Sequence, residues 1–269
     1  MTAPIPRDIP DLPALPGVPA LLPSPVPATA VVTPVRRPLA ATYRLLVALL
    51  AAAGVTLALL LGSPTRVLSF FSVQSAILLT LVTLASARRA WSARRPLPSA
   101  MTGAVLLYVT ITALVHHLLL ANEASPFATT SPLTDGATTS TGWGWTWHTL
   151  AHHLIHTAVP ATALLDWLLL TAPGRLHLRQ AAPWLLYPLA YLAFSLGRGE
   201  LLLPGTPDRY LYPFLDVDQH GYKSVLGNAL LLGLSFYALA VLLVALDHAR
   251  PNPVRHRAKT GFRLRPPVG

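Results

Sequence analysis

The chain has 269 residues, 53% of them hydrophobic and 11% charged, with 27 prolines, no cysteine, a formal net charge of +10 and a mean hydropathy of +0.52. A soluble domain carries about 25% charged residues, so an ordinary cytosolic globule is excluded. The lack of cysteine excludes a disulfide scaffold, a thiol nucleophile and any Cys-ligated zinc or iron–sulfur site.

Residues 1–40 hold eleven prolines, most of them two to four residues apart. That spacing forbids a helix and predicts a polyproline-like, disordered cytoplasmic tail. It is not read as a signal peptide, because no unbroken apolar run precedes a cleavage site. Six apolar stretches follow, at approximately 42–61, 67–87, 100–121, 147–170, 181–197 and 224–246. Each approaches the ~20 helical residues that cross a ~30 Å hydrocarbon core. The fifth is the shortest and contains Pro183 and Pro188, so a kink is expected there. The predicted fold is all-α, a polytopic membrane protein with a bundle of six transmembrane helices over 41–248, followed by a basic cytoplasmic tail at 249–269.

The distribution of Lys and Arg orients these spans. Sixteen lie in the N-terminal tail, the 88–99 and 171–180 connections and the C-terminal tail, against four in the alternate connections. Short cytoplasmic loops collect positive charge, which predicts both termini inside, in a cell (inner) membrane. The basic excess is then a topology signal. The partners it implies are membrane lipids, with anionic headgroups at the cytoplasmic face and no nucleic acid. The outer segment 122–146 ends beside Trp143, Trp145 and Trp147, which read as an interfacial aromatic belt.

Polar groups inside apolar spans are costly unless they face protein or water. His148, His152 and His156 are spaced i, i+4, i+8 and stay within about 80° of arc on one helix face. Counting inward from the outer boundary places Ser72, His116, His117, His152, His153, His156 and Asn228 roughly 8–15 Å deep, in one layer shared by four spans. The 198–222 connection, with Arg198, Glu200, Asp208, Asp216 and Asp218, lies on the same side and is expected to roof that layer. Ser72 also belongs to a small-residue row with Ala76, Thr80 and Thr83, the kind that lets membrane helices approach closely. Tyr108, Thr112 and His116 form a second ladder, read as a buried hydrogen-bonding face. Asp166, near the cytoplasmic end, is expected to snorkel or to pair with Arg175.

Two chemistries suit the layer. In one, the Ser72 hydroxyl attacks an ester carbonyl while an imidazole takes its proton and returns it to the leaving alkoxide. No G-x-S-x-G motif surrounds Ser72. In the other, zinc held by histidines drawn from His116, His148, His152 and His156 activates water. A non-catalytic bundle, or an ion-handling protein using the histidines as relays, is the third class.

Phe71-Ser72-Val73-Gln74-Ser75, Thr112-Ala113-Leu114-Val115-His116-His117, His156-Thr157-Ala158-Val159-Pro160, Leu165-Asp166-Trp167, Trp184-Leu185-Leu186-Tyr187-Pro188, Arg198-Gly199 and Tyr212-Pro213-Phe214-Leu215-Asp216-Val217 stand in this order along the chain. Over roughly 42–248 the order resembles a bacterial group of six-pass membrane proteins, itself similar to the eukaryotic androgen-induced-gene and androgen-dependent TFPI-regulating proteins. Those are intramembrane hydrolases of fatty acid esters of hydroxy fatty acids, with a threonine nucleophile and a histidine. The resemblance implies Ser72 as nucleophile and His156 as base, and no cofactor. Ser72 replaces the family's threonine, and His152 stands where relatives tend to carry Asn or Asp. In this reading His117, His152 and Asn228 orient groups or stabilise charge. Arg198, a feature of the bacterial branch, supplies a counter-charge for a lipid carboxylate, with Asp216 beside it in the supporting set.

Overall fold

The computed structural model describes residues 36–121, 146–206 and 209–251. The Pro-rich segment 1–35, the tryptophans Trp143 and Trp145, Asp208 and the basic residues beyond 251 lie outside them. The described residues form helices and no strand, and five helices are long and apolar enough to cross a membrane.

Helix α1 (Pro38–Leu61) starts with proline at its first position, where the missing N–H costs nothing. Its buried residues, among them Ala48, Ala51, Gly54 and Val55, recur every three or four positions. A Cβ on Gly54 would lie 3.1 Å from Ile155 Cγ1 and 3.2 Å from Leu154 Cβ, so the small residue sets how closely α1 crosses the fourth apolar segment.

The second predicted span begins as a short helix, α2 (Pro64–Ser69), capped by Ser63. It breaks at Phe70, whose backbone is extended (φ −75°, ψ 134°), and resumes as α3 (Phe71–Trp91). A break strands backbone carbonyls that must find donors. Gln74 Nε2 donates to the Leu68 carbonyl at 2.9 Å and Tyr191 Oη–H to the Ser69 carbonyl at 2.9 Å. The small-residue row on α3 is largely buried: Ser72, Ala76 and Thr83 are all under 9% exposed.

Helix α4 (Ser99–Leu120) and helix α5 (Trp147–Leu170) each contain π-helical turns, Val115–Leu120 in α4 and Leu154–Ala158 and Asp166–Leu170 in α5. The Thr146 hydroxyl caps α5, accepting from Thr149 N–H at 3.1 Å. The fifth predicted span divides into α6 (Ala181–Trp184) and α7 (Leu186–Leu201). Pro188 has no N–H to offer the Trp184 carbonyl four residues back, and Tyr108 Oη–H takes that place at 3.0 Å. With Thr112 donating to the Tyr108 carbonyl at 3.1 Å and all three residues buried, the Tyr108–Thr112–His116 ladder is the hydrogen-bonding face expected. Helix α8 (Val217–Ala249) is capped by Asp216, which accepts from the N–H groups of Asp218 and Gln219, and it bends at Gly221 (φ 70°).

Trp184 packs flat against Gly103 of α4, where an added Cβ would lie 2.4 Å from the indole. Gly103→Ala is therefore expected to destabilise the bundle by about 1–3 kcal/mol through overpacking. Gly227→Ala, at a helical position with open space around it, is expected to be neutral or slightly stabilising. Thermal unfolding of both variants in detergent checks the contrast.

At the basic end, Asp166 pairs with Arg44 of α1, Nε to Oδ1 2.9 Å, rather than with Arg175 as the sequence suggested. The reason is that Asp247 of α8 occupies the 175 region. Its fully buried carboxylate accepts from the backbone N–H groups of Arg175 (2.7 Å) and Leu176 (2.9 Å), from Trp167 Nε1–H (3.1 Å) and from Arg250. Arg250 also donates to the Trp167, Leu168 and Thr171 carbonyls, capping the end of α5.

At the opposite end, residues after α7 fold over the bundle. Gly199 lies under Tyr210, with room for no Cβ. Arg209 donates to the Gly199 carbonyl (2.6 Å) and to Asp218 (2.6 Å). Glu200 accepts from the hydroxyls of Tyr222 (2.5 Å) and Tyr210 (3.0 Å).

Candidate functional site

The π-helical turns in α4 and α5 bring His116 of one against His156 of the other. Such turns insert an extra residue and re-aim the side chains that follow. In α5 the turn Leu154–Ala158 ends two residues before Pro160, which cannot donate to the His156 carbonyl. The rings of His152 and His156 stack with centroids 4.3 Å apart, and His116 packs against both, at 4.4 Å and 4.7 Å. His116 Nε2 and His152 Nε2 are 3.1 Å apart, a hydrogen bond in which one ring donates and the other accepts. His156 Nδ1 lies 3.0 Å from the His152 carbonyl oxygen. A carbonyl only accepts, so this bond places the proton of a neutral His156 on Nδ1 and leaves Nε2 with a free lone pair.

A cavity of about 460 Å³ opens in front of this cluster, lined by Ser72, Thr112, His116, His156, Tyr191 and Tyr212 together with apolar residues of α4, α7 and α8. Its size falls within the ~300–1,000 Å³ of typical ligand pockets. The break at Phe70 sets Ser72 in the first turn of α3, where backbone N–H groups have no helical acceptor. The N–H groups of Phe71 and Ser72 and the Ser72 hydroxyl meet the phenol of Tyr212, which comes from the connection before α8. Hydroxyl, helix-end amides and imidazole thus face one space.

The predicted site residues separate into two groups. Ser72 and His156 line the cavity, and His152 stands directly behind His116 and His156. The others serve the surroundings. His117 turns to Thr157, Nε2 to Oγ1 3.1 Å. Asn228 donates to the Phe214 carbonyl at 3.3 Å, Arg198 to the Arg209 carbonyl at 3.0 Å, and Asp216 caps α8. His148 lies one turn before His152 on α5. Tyr212 and Tyr191 were not anticipated. Tyr212 sits in the 198–222 connection expected to roof the layer, where neither helical period nor depth counting points to a single side chain.

A catalytic zinc needs three protein ligands at about 2.0–2.2 Å. Among the described residues no group of three or more His, Asp or Glu is arranged to hold one ion. The two closest imidazole nitrogens are hydrogen-bonded to each other.

The chain matches no known protein family, no curated protein and no solved structure.

Proposed function

We propose that the protein is a six-pass membrane hydrolase of lipid esters, with Ser72 as nucleophile and His156 as general base. The observation that carries this reading is that Ser72 of α3 and His156 of α5 line the same cavity, while the Nδ1 bond of His156 leaves Nε2 available as an acceptor. The Ser72 oxygen attacks the ester carbonyl carbon as His156 Nε2 takes the hydroxyl proton. The tetrahedral intermediate collapses, the ester C–O bond breaks, and His156 returns the proton to the departing alkoxide. Water then attacks the acyl-serine, giving its proton to His156; the bond from the acyl carbon to Ser72 Oγ breaks, His156 returns the proton to that oxygen, and the fatty acid leaves. Phe71, Ser72 and Tyr212 line the cavity, and the N–H groups at the start of α3 with the Tyr212 hydroxyl are the donors assigned to the developing oxyanion, where a dry site strengthens each hydrogen bond. The resemblance to hydrolases of fatty acid esters of hydroxy fatty acids supports the same assignment.

In this reading α6 and α7 together form the fifth of the six spans. Residues 181–201 cover about 30 Å at 1.5 Å per residue. Their ends meet opposite ends of the bundle, Gln180 bonding Ser99 at one and Glu200 bonding Tyr222 at the other. Both termini then face the cytoplasm, with the basic end against anionic headgroups of the inner membrane. Because the chain has no cysteine, single cysteines report topology cleanly. Ser92→Cys and Thr206→Cys are expected to react with a membrane-impermeant maleimide from opposite sides of the membrane.

The decisive experiment combines fluorophosphonate labelling, ester turnover and metal analysis on purified wild type and Ser72→Ala. Labelling and turnover that disappear in Ser72→Ala, at unchanged thermal stability, support the serine route. Stoichiometric zinc, with turnover abolished by chelation and retained in Ser72→Ala, overturns it in favour of the metal reading.

A further inference from the structure

One wall of the cavity is α8, whose lining residues centre on a stripe of Leu226, Ala229, Leu230, Gly233, Phe236 and Tyr237, with Leu232 and Leu234 flanking it. The stripe follows i, i+3, i+4, i+7, i+10 and i+11, one face of a helix. Leu189 of α7 stands across from them. Several of these walls are also on the outside of the bundle, Leu189 being 57% exposed, Leu226 53% and Leu230 64%. The cavity therefore borders the surface that faces lipid, where α7 and α8 part. No Asp, Glu, Lys or Arg lines it, which disfavours an ion, a sugar or a peptide and suits one hydrocarbon chain.

Gly233 is the only position on the α8 stripe without a side chain. A Cβ built there meets no atom within 4 Å. Gly103 and Gly199 are required because a ring lies on top of them, but nothing crosses α8 at Gly233. A glycine inside a helix costs about 0.5–1 kcal/mol relative to alanine, so this one sacrifices stability without providing a close contact. What it provides is room in the cavity wall.

We propose that Gly233 sets the length of the acyl chain that the cavity accepts from the bilayer. The inference deepens the proposed function and rests on it for the chemistry at Ser72, but binding can be read without hydrolysis. A side chain at Gly233 shortens the space beyond the reactive end, leaving the ester carbonyl of a short substrate in place and displacing that of a long one.

The test uses the full chain in lipid nanodiscs, in wild type, Gly233→Leu, Gly233→Ala and the control Gly227→Leu, which lies off the stripe. A long-chain fatty acid bearing a terminal diazirine is photocrosslinked and the adducts are mapped by mass spectrometry. Adducts on Ile111 and Thr112, buried cavity-lining residues of α4, separate cavity occupancy from labelling by bulk lipid. The expected result is that Gly233→Leu lowers these adducts by about tenfold or more, Gly233→Ala lowers them less, and Gly227→Leu leaves them unchanged. In hydrolysis, Gly233→Leu should slow long-chain esters and spare acetyl esters. Absence of Ile111 and Thr112 adducts in wild type, or equal yields in Gly233→Leu and wild type, overturns the proposal. Gly233-dependent adducts without any turnover would sink the hydrolase reading while keeping the chain site. Gly233→Ala, expected to be at least as stable as wild type, guards against loss of fold as the cause.

Discussion

Asp247→Ala is expected to destabilise the bundle by about 3–5 kcal/mol. The carboxylate is buried and accepts four hydrogen bonds, two of them from backbone N–H groups of the 171–176 connection. Its removal strands those donors and the Arg250 guanidinium together. Asp247→Asn is nearly isosteric and still expected to lose most of this stability, because an amide turns one acceptor oxygen into a donor that faces donors. The ion pair of Arg44 and Asp166, at 15% exposure on both sides, has fewer partners to strand, so Asp166→Asn should cost less. Unfolding midpoints in detergent, followed by tryptophan fluorescence, rank the three variants. An Asp247→Asn protein within about 0.5 kcal/mol of wild type would contradict this account.

Asp247 also marks the limit of what the sequence could disclose. Hydropathy placed five of the six apolar segments on helices long and apolar enough to cross a membrane, because burial in hydrocarbon is written in composition and length, while the fifth segment forms the two shorter helices α6 and α7. Partners are not written there. Asp166 finds Arg44, 122 residues earlier in the chain, and Asp247 takes the backbone N–H of Arg175, the residue expected as a partner of Asp166. The break at Phe70 has a local half, the Ser63-Pro64 start signal of α2. Its other half is tertiary, since the stranded Ser69 carbonyl is answered by Tyr191, also 122 residues away.

The site divides in the same way. Helical depth counting brought Ser72, His116, His152 and His156 to one level, and the structure gathers them around or directly behind one cavity. Depth says nothing of azimuth, so Asn228 and His117, at the same level, turn to the Phe214 carbonyl and to Thr157 instead. Tyr212 enters the cavity from a connection, where neither period nor hydropathy applies. The π-helical turns that stack His152 on His156 were equally hidden, since an ideal helix was assumed in reading their spacing.

His156→Ala is expected to lower kcat/KM for ester hydrolysis by about 10²–10⁴, the usual contribution of a positioned general base. The effect should fall on kcat more than on KM, because proton transfer is made only in the transition state. His152→Ala tests the arrangement from behind. It leaves the His152 carbonyl, and with it the bond that fixes the tautomer of His156, but removes the ring stacked on His156 and bonded to His116. Its loss in rate should therefore be smaller than that of His156→Ala. A structural role for the cluster predicts the opposite order: His152 touches both neighbours, so its removal would do the greater harm, visible as loss of thermal stability in step with activity. Steady-state kinetics and thermal unfolding on the same two preparations distinguish these outcomes, because a base can be removed from a well-folded site and a packing keystone cannot.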